Sequence, residues 1–186
     1  MIGLYFHMLG VRLKAQMQYR ASFWMDCVSM FFISALDFLA ISILFARFPV
    51  LRGWSLWEVG ILYALVQGAF ALAELAGRGF DTFARQIRQG AFDNLLIRPY
   101  SPFFLTLGSD FQGRRVARLA QALVVAALCS THLGLAWTPA RLAFAAASLA
   151  GGACFFLALF ILGATLCFWT VESVEVINIF THGGIE

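Results

Sequence analysis

The chain alternates between long apolar runs and short polar segments. Four runs approach or exceed the roughly 20 mostly apolar residues that a membrane-spanning helix needs, and they cover residues 22–46, 57–77, 116–136 and 142–168. Only one polar segment between them is long, at residues 78–115. The pattern predicts an all-α, polytopic helical membrane protein with four transmembrane helices.

Residues 1–20 have a different pattern, with apolar positions at helical spacing and basic side chains between them. The apolar stripe consists of Leu4, Met8, Val11, Ala15 and Tyr19. Arg12, Gln16 and Arg20 form a polar line along the same segment. Such a helix lies along the lipid headgroups rather than across the membrane, so we predict an N-terminal interfacial helix.

Composition supports a membrane protein, because 61% of the residues are hydrophobic and 12% are charged, against about 25% charged in soluble domains. Ten of the 13 Lys and Arg residues lie in the N-terminal segment or in and just after the 78–115 segment. The positive-inside bias therefore places the N-terminus and the 78–115 loop in the cytoplasm. Because four spans are predicted, we expect residues 169–186 to lie on the cytoplasmic side again, as a tail at the membrane surface. In this context the net charge of +3 reports orientation and does not indicate nucleic-acid binding.

Two polar side chains inside the spans are candidates for a translocation pathway, Asp37 and Gln67. A carboxylate near the middle of a bilayer costs about 2.5–3.5 kcal/mol on insertion scales, so Asp37 suggests a functional site. The alternative is a protonated or hydrogen-bonded contact with a neighbouring span. The sequence alone does not decide between a functional and a structural role for Asp37.

The 78–115 loop predicts short amphipathic helices. Phe80, Phe83, Ala84 and Ile87 fall on one helical face, which predicts a helix of about three turns that Gly90 ends. A second short helix is predicted around the apolar positions Phe92, Leu95 and Leu96, ending at Pro99. Ser101 and Pro102 then have the pattern of a helix N-cap followed by proline at the first helical position.

The sequence lacks the motifs of covalent catalysis and nucleotide binding. It contains no G-x-x-x-x-G-K-[ST] phosphate loop, no H-E-x-x-H and no G-x-S-x-G. Glu172, Glu175 and His182 do not have the spacing of a helical metal site. We therefore expect a non-enzymatic chain without a metal or cofactor of its own, in which uphill transport would need a partner or an ion gradient.

Residues 89–102, Gln-Gly-Ala-Phe-Asp-Asn-Leu-Leu-Ile-Arg-Pro-Tyr-Ser-Pro, resemble the G-x-(L/F)-D-x-L-L-x-R-P-x-(S/N)-P segment of bacterial ABC-2-type transporter permeases. Asp110-Phe111 with Arg114-Arg115, and the tail from Phe168 to Gly184, look like the same branch, which is usually described as an ABC transport system permease. The three segments occur in the right order, and the resemblance extends over essentially the whole chain.

This resemblance implies a permease subunit of an ATP-driven export system in the bacterial cytoplasmic (inner) membrane. It implies a second permease, identical or different, and a separate cytoplasmic ABC ATPase that binds ATP and Mg²⁺. The loop between the second and third spans would carry the helix that couples to the ATPase. The coupling residues implied in this way are Phe80, Phe83, Arg85, Ile87, Arg88, Phe92, Asp93, Leu95, Leu96, Arg98 and Pro99. Because the family's plan has six spans per subunit, we expect this chain to lack the last two.

Two alternatives from other classes remain at this point. One is an ion-coupled carrier or channel that uses Asp37, and the other is a membrane scaffold whose loop recruits a cytoplasmic protein. Recovery of an ATPase with a phosphate loop would favour the permease. Transport that needs no ATPase and is sensitive to Asp37→Asn would favour the carrier.

Overall fold

The computed structural model of the chain describes residues 2–169, and no β-strand occurs among them. The helices are α1 (Ile2–Gln16), α2 (Arg20–Arg47), α3 (Leu56–Asp81), α4 (Phe83–Arg88), α5 (Ala91–Leu96), α6 (Pro102–Leu107), α7 (Arg115–His132) and α8 (Pro139–Leu166). Apart from Trp169, the predicted tail of residues 169–186 lies outside the described residues, and with it Glu172, Glu175 and His182.

Three stretches of the described chain are long and apolar enough to cross a membrane: Arg20–Arg47, Leu56–Arg88 and Pro139–Leu166. They confirm the predicted all-α polytopic membrane protein, since a backbone in lipid must satisfy its hydrogen bonds within each helix. The predicted span 116–136 corresponds to α7, which has 18 residues and ends four residues early, at His132. α7 is not among the three apolar stretches and contains Arg115 and Arg118, so a count of four spans stays a prediction.

The chain divides into two compact units, which are described separately. The first comprises Met1–Gln18, Ala73–Gly113 and Cys154–Glu186, and the second comprises Tyr19–Leu72 and Arg114–Ala153. The 78–115 loop thus belongs almost wholly to the first unit, and the candidate translocation residues Asp37 and Gln67 belong to the second.

In the second unit, α2 packs along α7, and the core lies where α3 meets α7. Ala64, Val125 and Cys129 are buried there, with Phe38 and Trp57 among the larger side chains around them. Gly60 faces this core so closely that a methyl group in its place would overlap the Cys129 sulfur. Small residues therefore let the helices of this unit approach one another.

In the first unit, the loop begins with a break in the helix that the sequence does not predict. The apolar face of Phe80, Phe83 and Ile87 predicts one helix of three turns, but the structure divides this segment in two. α3 bends at Gly77, where the backbone leaves helical geometry (φ −145°, ψ 28°), and continues to Asp81. The separate helix α4 then begins at Phe83. The bend occurs where Leu107 and Leu157 approach Gly77 too closely to leave space for a side chain.

The turn signals of the loop are confirmed. Gly90 adopts a left-handed conformation (φ 64°) between α4 and α5, which costs little for a residue without Cβ. Ser101 occupies the N-cap position of α6 but makes no capping hydrogen bond with its side chain, and Pro102 occupies the start of that helix. Gly90 and Pro102 therefore stand at the predicted turns of the loop.

Gly79 lies in close contact with the backbone of α6 in the first unit, and it provides a test of this packing. A methyl group there would overlap the carbonyl oxygen of Thr106 on α6, and a backbone atom cannot move aside as a side chain can. We expect Gly79→Ala to destabilise the protein by about 1–3 kcal/mol, the usual cost of overpacking. The measurement is the apparent melting temperature of the detergent-solubilised protein.

Gly151→Ala is the matched control, because Gly151 is also helical but has open space around the position of an added Cβ. We expect its melting temperature to equal that of the unmodified protein or exceed it slightly, since alanine favours helix. Equal melting temperatures for the two variants would show that the contact between Gly79 and Thr106 is not tight.

Candidate functional site

The base of the 78–115 loop is built around the guanidinium of Arg78, in the last turns of α3. Its Nη1 lies 2.6 Å from Glu74 Oε1 and 3.6 Å from Asp81 Oδ2, and its Nε lies 3.6 Å from Asp110 Oδ2. Glu74 has no exposed surface. One cation thus holds two carboxylates of α3 together with one from the segment that precedes α7.

Hydrogen bonds from Gln86 on α4 join the same elements. Its side-chain amide donates to the carbonyl oxygen of Gly79 at 3.3 Å and to Ser109 Oγ at 2.8 Å. The first bond ties α4 to the end of α3, and the second ties α4 to the segment that follows α6. The position of α4 is therefore set by polar contacts as well as by its apolar face.

Three phenylalanine rings form an aromatic cluster, in which Phe83 is buried, Phe92 is partly buried and Phe168 is 59% exposed. Phe83 on α4 lies edge-on to Phe92 on α5 at 5.1 Å and to Phe168 at 5.6 Å, and Phe92 and Phe168 are 5.7 Å apart. Phe168 directly follows the last turns of α8. Aromatic pairs at these distances contribute about 0.5–1.5 kcal/mol each beyond their burial. Because Phe92 contacts both other rings, α5 is in direct contact with α4 and with the end of α8.

The helix α1 is attached to the end of the loop through the side chain of Gln16. The Gln16 amide accepts a hydrogen bond from the Gly113 N–H at 2.8 Å and donates to the carbonyl oxygen of Phe111. α1 also packs against α6. The N-terminal segment is therefore part of the unit that contains the loop.

The predicted coupling residues fall into three groups by their exposure. Phe80 and Phe83 are buried, Phe80 against Phe103 and Phe83 at 4% exposure within the aromatic cluster, so their rings hold the loop together. Ile87, Phe92 and Leu95 are partly buried. The side chains that are exposed are Arg85, Arg88, Asp93, Leu96, Arg98 and Pro99. The coupling role of all three groups stays a prediction.

Two exposed apolar residues of this surface escaped the sequence analysis. Ile97 is 83% exposed, next to Leu96 at 55%, and Tyr100 is 48% exposed. The exposure of Ile97 could have been inferred from the sequence, because Ile97 does not fall on the apolar stripe of Phe92, Leu95 and Leu96. An apolar residue off that stripe, directly before Arg98 and Pro99, is expected at the surface. We name Leu96, Ile97 and Tyr100, with Arg85, Arg88 and Arg98, the loop surface.

The second unit contains a polar cluster at the depth of the spans. Tyr63 on α3 donates its hydroxyl proton to the Ser34 carbonyl of α2 at 2.8 Å, and its ring packs on Phe38. Gln67 of α3 and Gln121 of α7 lie within hydrogen-bonding reach of that hydroxyl, and Asp37 of α2 and Arg118 of α7 lie near enough to act on it electrostatically. The structure therefore brings the predicted residues Asp37 and Gln67 into one neighbourhood. Their role in translocation stays a prediction.

Sequence reasoning missed Ser34, Tyr63 and Gln121. The sequence contains a pattern that could have identified two of them. Two pairs of polar residues stand at helical spacing within apolar stretches, and these pairs are Ser34 with Asp37 and Tyr63 with Gln67. Residues three or four apart share a helix face. Two such pairs on consecutive helices indicate that these faces meet.

At the other end of α7, the exposed His132 ring stacks on Trp57, with ring centres 3.8 Å apart and planes 9° from parallel. This contact joins the beginning of α3 to the end of α7. Among residues 2–169, no group of three or more His, Cys, Asp or Glu side chains is arranged to hold a metal ion.

Taken together, long apolar helices and a structured polar loop between two of them define a multi-pass membrane protein. Residues 31–186 match the family model described as ABC-2 family transporter protein, and the chain belongs to that family. It is therefore a permease component of an ABC transport system. No curated protein and no solved structure matches the chain.

The pairing of Arg78 with the enclosed Glu74 is testable by mutation. Arg78→Gln removes the cation and leaves a carboxylate in the interior, which typically costs about 3–5 kcal/mol. We expect a marked drop in the apparent melting temperature of the purified protein. The double variant Glu74→Gln with Arg78→Gln should recover part of that loss, because two neutral amides leave no unpaired charge. Losses that simply add would show that the two side chains are not coupled.

Proposed function

We propose that this chain is the permease subunit of an ATP-driven exporter and that a separate cytoplasmic ABC ATPase docks on the loop surface. The observation that carries the proposal is the exposure of Leu96, Ile97 and Tyr100 beside three arginines, on a loop whose interior is firmly packed. Apolar anchors surrounded by charged side chains are typical of a protein interface.

The packing of the first unit supports a path for mechanical coupling. A force on α5 acts on Phe92, which contacts Phe83 on α4 and Phe168 after α8. α4 is joined through Gln86 to the end of α3. Closure of the ATPase would therefore move the ends of two membrane helices together, because the contacts between them are direct.

In this mechanism ATP and Mg²⁺ bind to the partner ATPase, and the permease supplies the membrane path. ATP-driven movement shifts the permease between an inward-facing and an outward-facing state. The shift can be no larger than the difference in binding free energy of the ATPase for the two states. We place the protein in the bacterial inner membrane, paired with a second permease and exporting its substrate.

A charge placed on the loop surface tests the docking. We expect Ile97→Asp or Leu96→Asp to reduce co-purification of the ATPase by about tenfold or more, because a carboxylate would replace an apolar anchor at the centre of the interface. The measurement is a pull-down of the tagged permease from its native host, with the ATPase identified by its phosphate-loop sequence in mass spectrometry.

Asn94→Asp is the matched control, since Asn94 is exposed on the same short helix and its substitution adds the same charge without removing apolar surface. We expect near-normal recovery of the ATPase with this variant. All variants should insert in the membrane at normal levels. Normal recovery with both Ile97→Asp and Leu96→Asp would contradict docking at this surface.

A further inference from the structure

The second unit contains a cavity of about 80 Å³ where α3, α7 and α8 meet. Its lining consists of Gly68, alkyl side chains and the indole of Trp137. Ala64 and Ala122 of the lining are buried, whereas Leu123 and Trp137 are more than half exposed. The cavity therefore has a floor of small side chains and opens to the outside of the unit between large apolar ones.

Alanine and glycine residues spaced by four create this space. They are Ala64 and Gly68 on α3, and Ala122 and Ala126 on α7. Residues four apart lie on the same helix face, so two faces with small side chains border the cavity. At Gly68 the space closes, because a Cβ there would lie 3.0 Å from Leu149 of α8. The cavity thus ends at Gly68 and extends from there toward Trp137.

The cavity lies at the depth of one leaflet of the membrane. Ile61 and Gly68 come five and twelve residues after the first residue of α3, or about 8 and 18 Å at the rise of an α-helix. Ala145 and Leu149 come six and ten residues after the first residue of α8, or about 9 and 15 Å. Both ranges correspond to one half of a hydrocarbon core about 30 Å thick. The positive-inside bias makes it the outer half.

A polymethylene chain is the occupant that fits this space. Apolar cavities stay dry and accept apolar groups. A helix, with a diameter of about 10 Å, is too wide to enter a cavity of about 80 Å³. Because the lining residues are spread along helices that cross the membrane, the cavity runs in the direction in which lipid acyl chains extend.

Arg141 supplies a positive charge at the open end of the cavity. Its Nη1 donates to the carbonyl oxygen of Ala136 at 2.9 Å, and that carbonyl belongs to the peptide bond with Trp137. Arg141 is exposed, so a ligand can reach its guanidinium. Arginine binds phosphate through pairs of N–H donors. A chain that leaves the cavity at Trp137 would therefore bring an attached phosphate to Arg141.

We propose that α3, α7 and α8 form a binding site for an anionic phospholipid of the outer leaflet, with one acyl chain in the cavity and the phosphate on Arg141. Binding needs neither an ATPase nor transport, so the site does not rest on the proposed function. Since a ligand that binds only the folded protein stabilises it, bound lipid should raise the apparent melting temperature of the purified permease.

The experiment uses phosphatidylglycerol with a diazirine in one acyl chain, added to the delipidated full-length permease in detergent. Illumination attaches the chain to its neighbours, and mass spectrometry of the peptides locates the attachment. We expect saturable labelling of the cavity residues on α3, α7 and α8, which excess unlabelled phosphatidylglycerol removes. Dodecanol, which has a chain without a phosphate, should compete weakly, and inorganic phosphate should not compete.

Two variants fill the cavity from different helices. Ala145→Leu on α8 and Ala126→Leu on α7 should each lower the affinity for the labelled lipid about tenfold, the factor expected when about two methylene groups lose their contacts. Because filled cavities tend to stabilise proteins, neither variant should lower the melting temperature measured without lipid. Ala147→Leu is the matched control, since Ala147 is exposed on α8 and is not part of the lining. Its labelling should be normal.

Arg141→Gln tests the contact with the phosphate. We expect two- to fivefold weaker binding, roughly the range of an exposed ion pair, and a smaller difference at high salt because salt screens the attraction. Arg47→Gln is the matched control. Arg47 is also an exposed arginine, but it ends α2, whose residues are not part of the lining. Its binding should equal that of the unmodified protein.

Three results would overturn the proposal. Labelling spread evenly over the exposed apolar faces of the helices would show that no site exists. Labelling that is absent from the cavity, as when a second copy covers it, or that is unchanged in both Ala145→Leu and Ala126→Leu, would exclude the cavity as the lipid site. Equal competition by dodecanol and phosphatidylglycerol would show that the phosphate is not recognised. None of these results involves the ATPase, so they leave the proposed function intact.

Discussion

Glu74 is a carboxylate without exposed surface, and it is tolerated because the Arg78 guanidinium lies 2.6 Å away. Separating the pair would leave an uncompensated charge in the interior, which costs more than most packing contacts supply. Arg78 is thereby fixed in one position, from which it also faces Asp81 and Asp110. Arg78 thereby joins the last turns of α3 to the segment before α7, and Gln86 adds a link from α4 to the same two segments.

The same rule on buried polar groups governs the second unit, with a different outcome. There Tyr63 on α3 donates its hydroxyl proton to the carbonyl oxygen of Ser34 on α2 at 2.8 Å, which is a neutral hydrogen bond and not an ion pair. The second unit is therefore joined here by a neutral polar contact, whereas the base of the loop is joined by a buried pair of charges.

The sequence alone predicted the features that depend on local chemistry. Apolar runs gave the helices that cross the membrane, Gly90 gave the left-handed turn, and Ser101-Pro102 gave the start of α6. It did not predict the bend at Gly77, where the side chains of Leu107 and of Leu157, eighty residues away in the sequence, leave no space for a Cβ. Contacts between residues far apart in the sequence are not visible in a local pattern. For the same reason the face of Phe80 and Phe83 looked like a docking surface, whereas their rings pack against Phe103, Phe92 and Phe168. The partners of Asp37 and Gln67 likewise became visible only when three helices were placed together.

The central claim is that an ABC ATPase docks on the loop surface. The most direct test is a photo-crosslinking amino acid at position 97 of the full-length permease, with the same substitution at Val50 as the reference. Val50 is also exposed and apolar but lies in the turn between α2 and α3, which the positive-inside bias places on the opposite side of the membrane. The account predicts a crosslink from position 97 to a protein with a phosphate-loop motif, and none from position 50. Absence of that crosslink from position 97, in membranes that contain the ATPase, would contradict it.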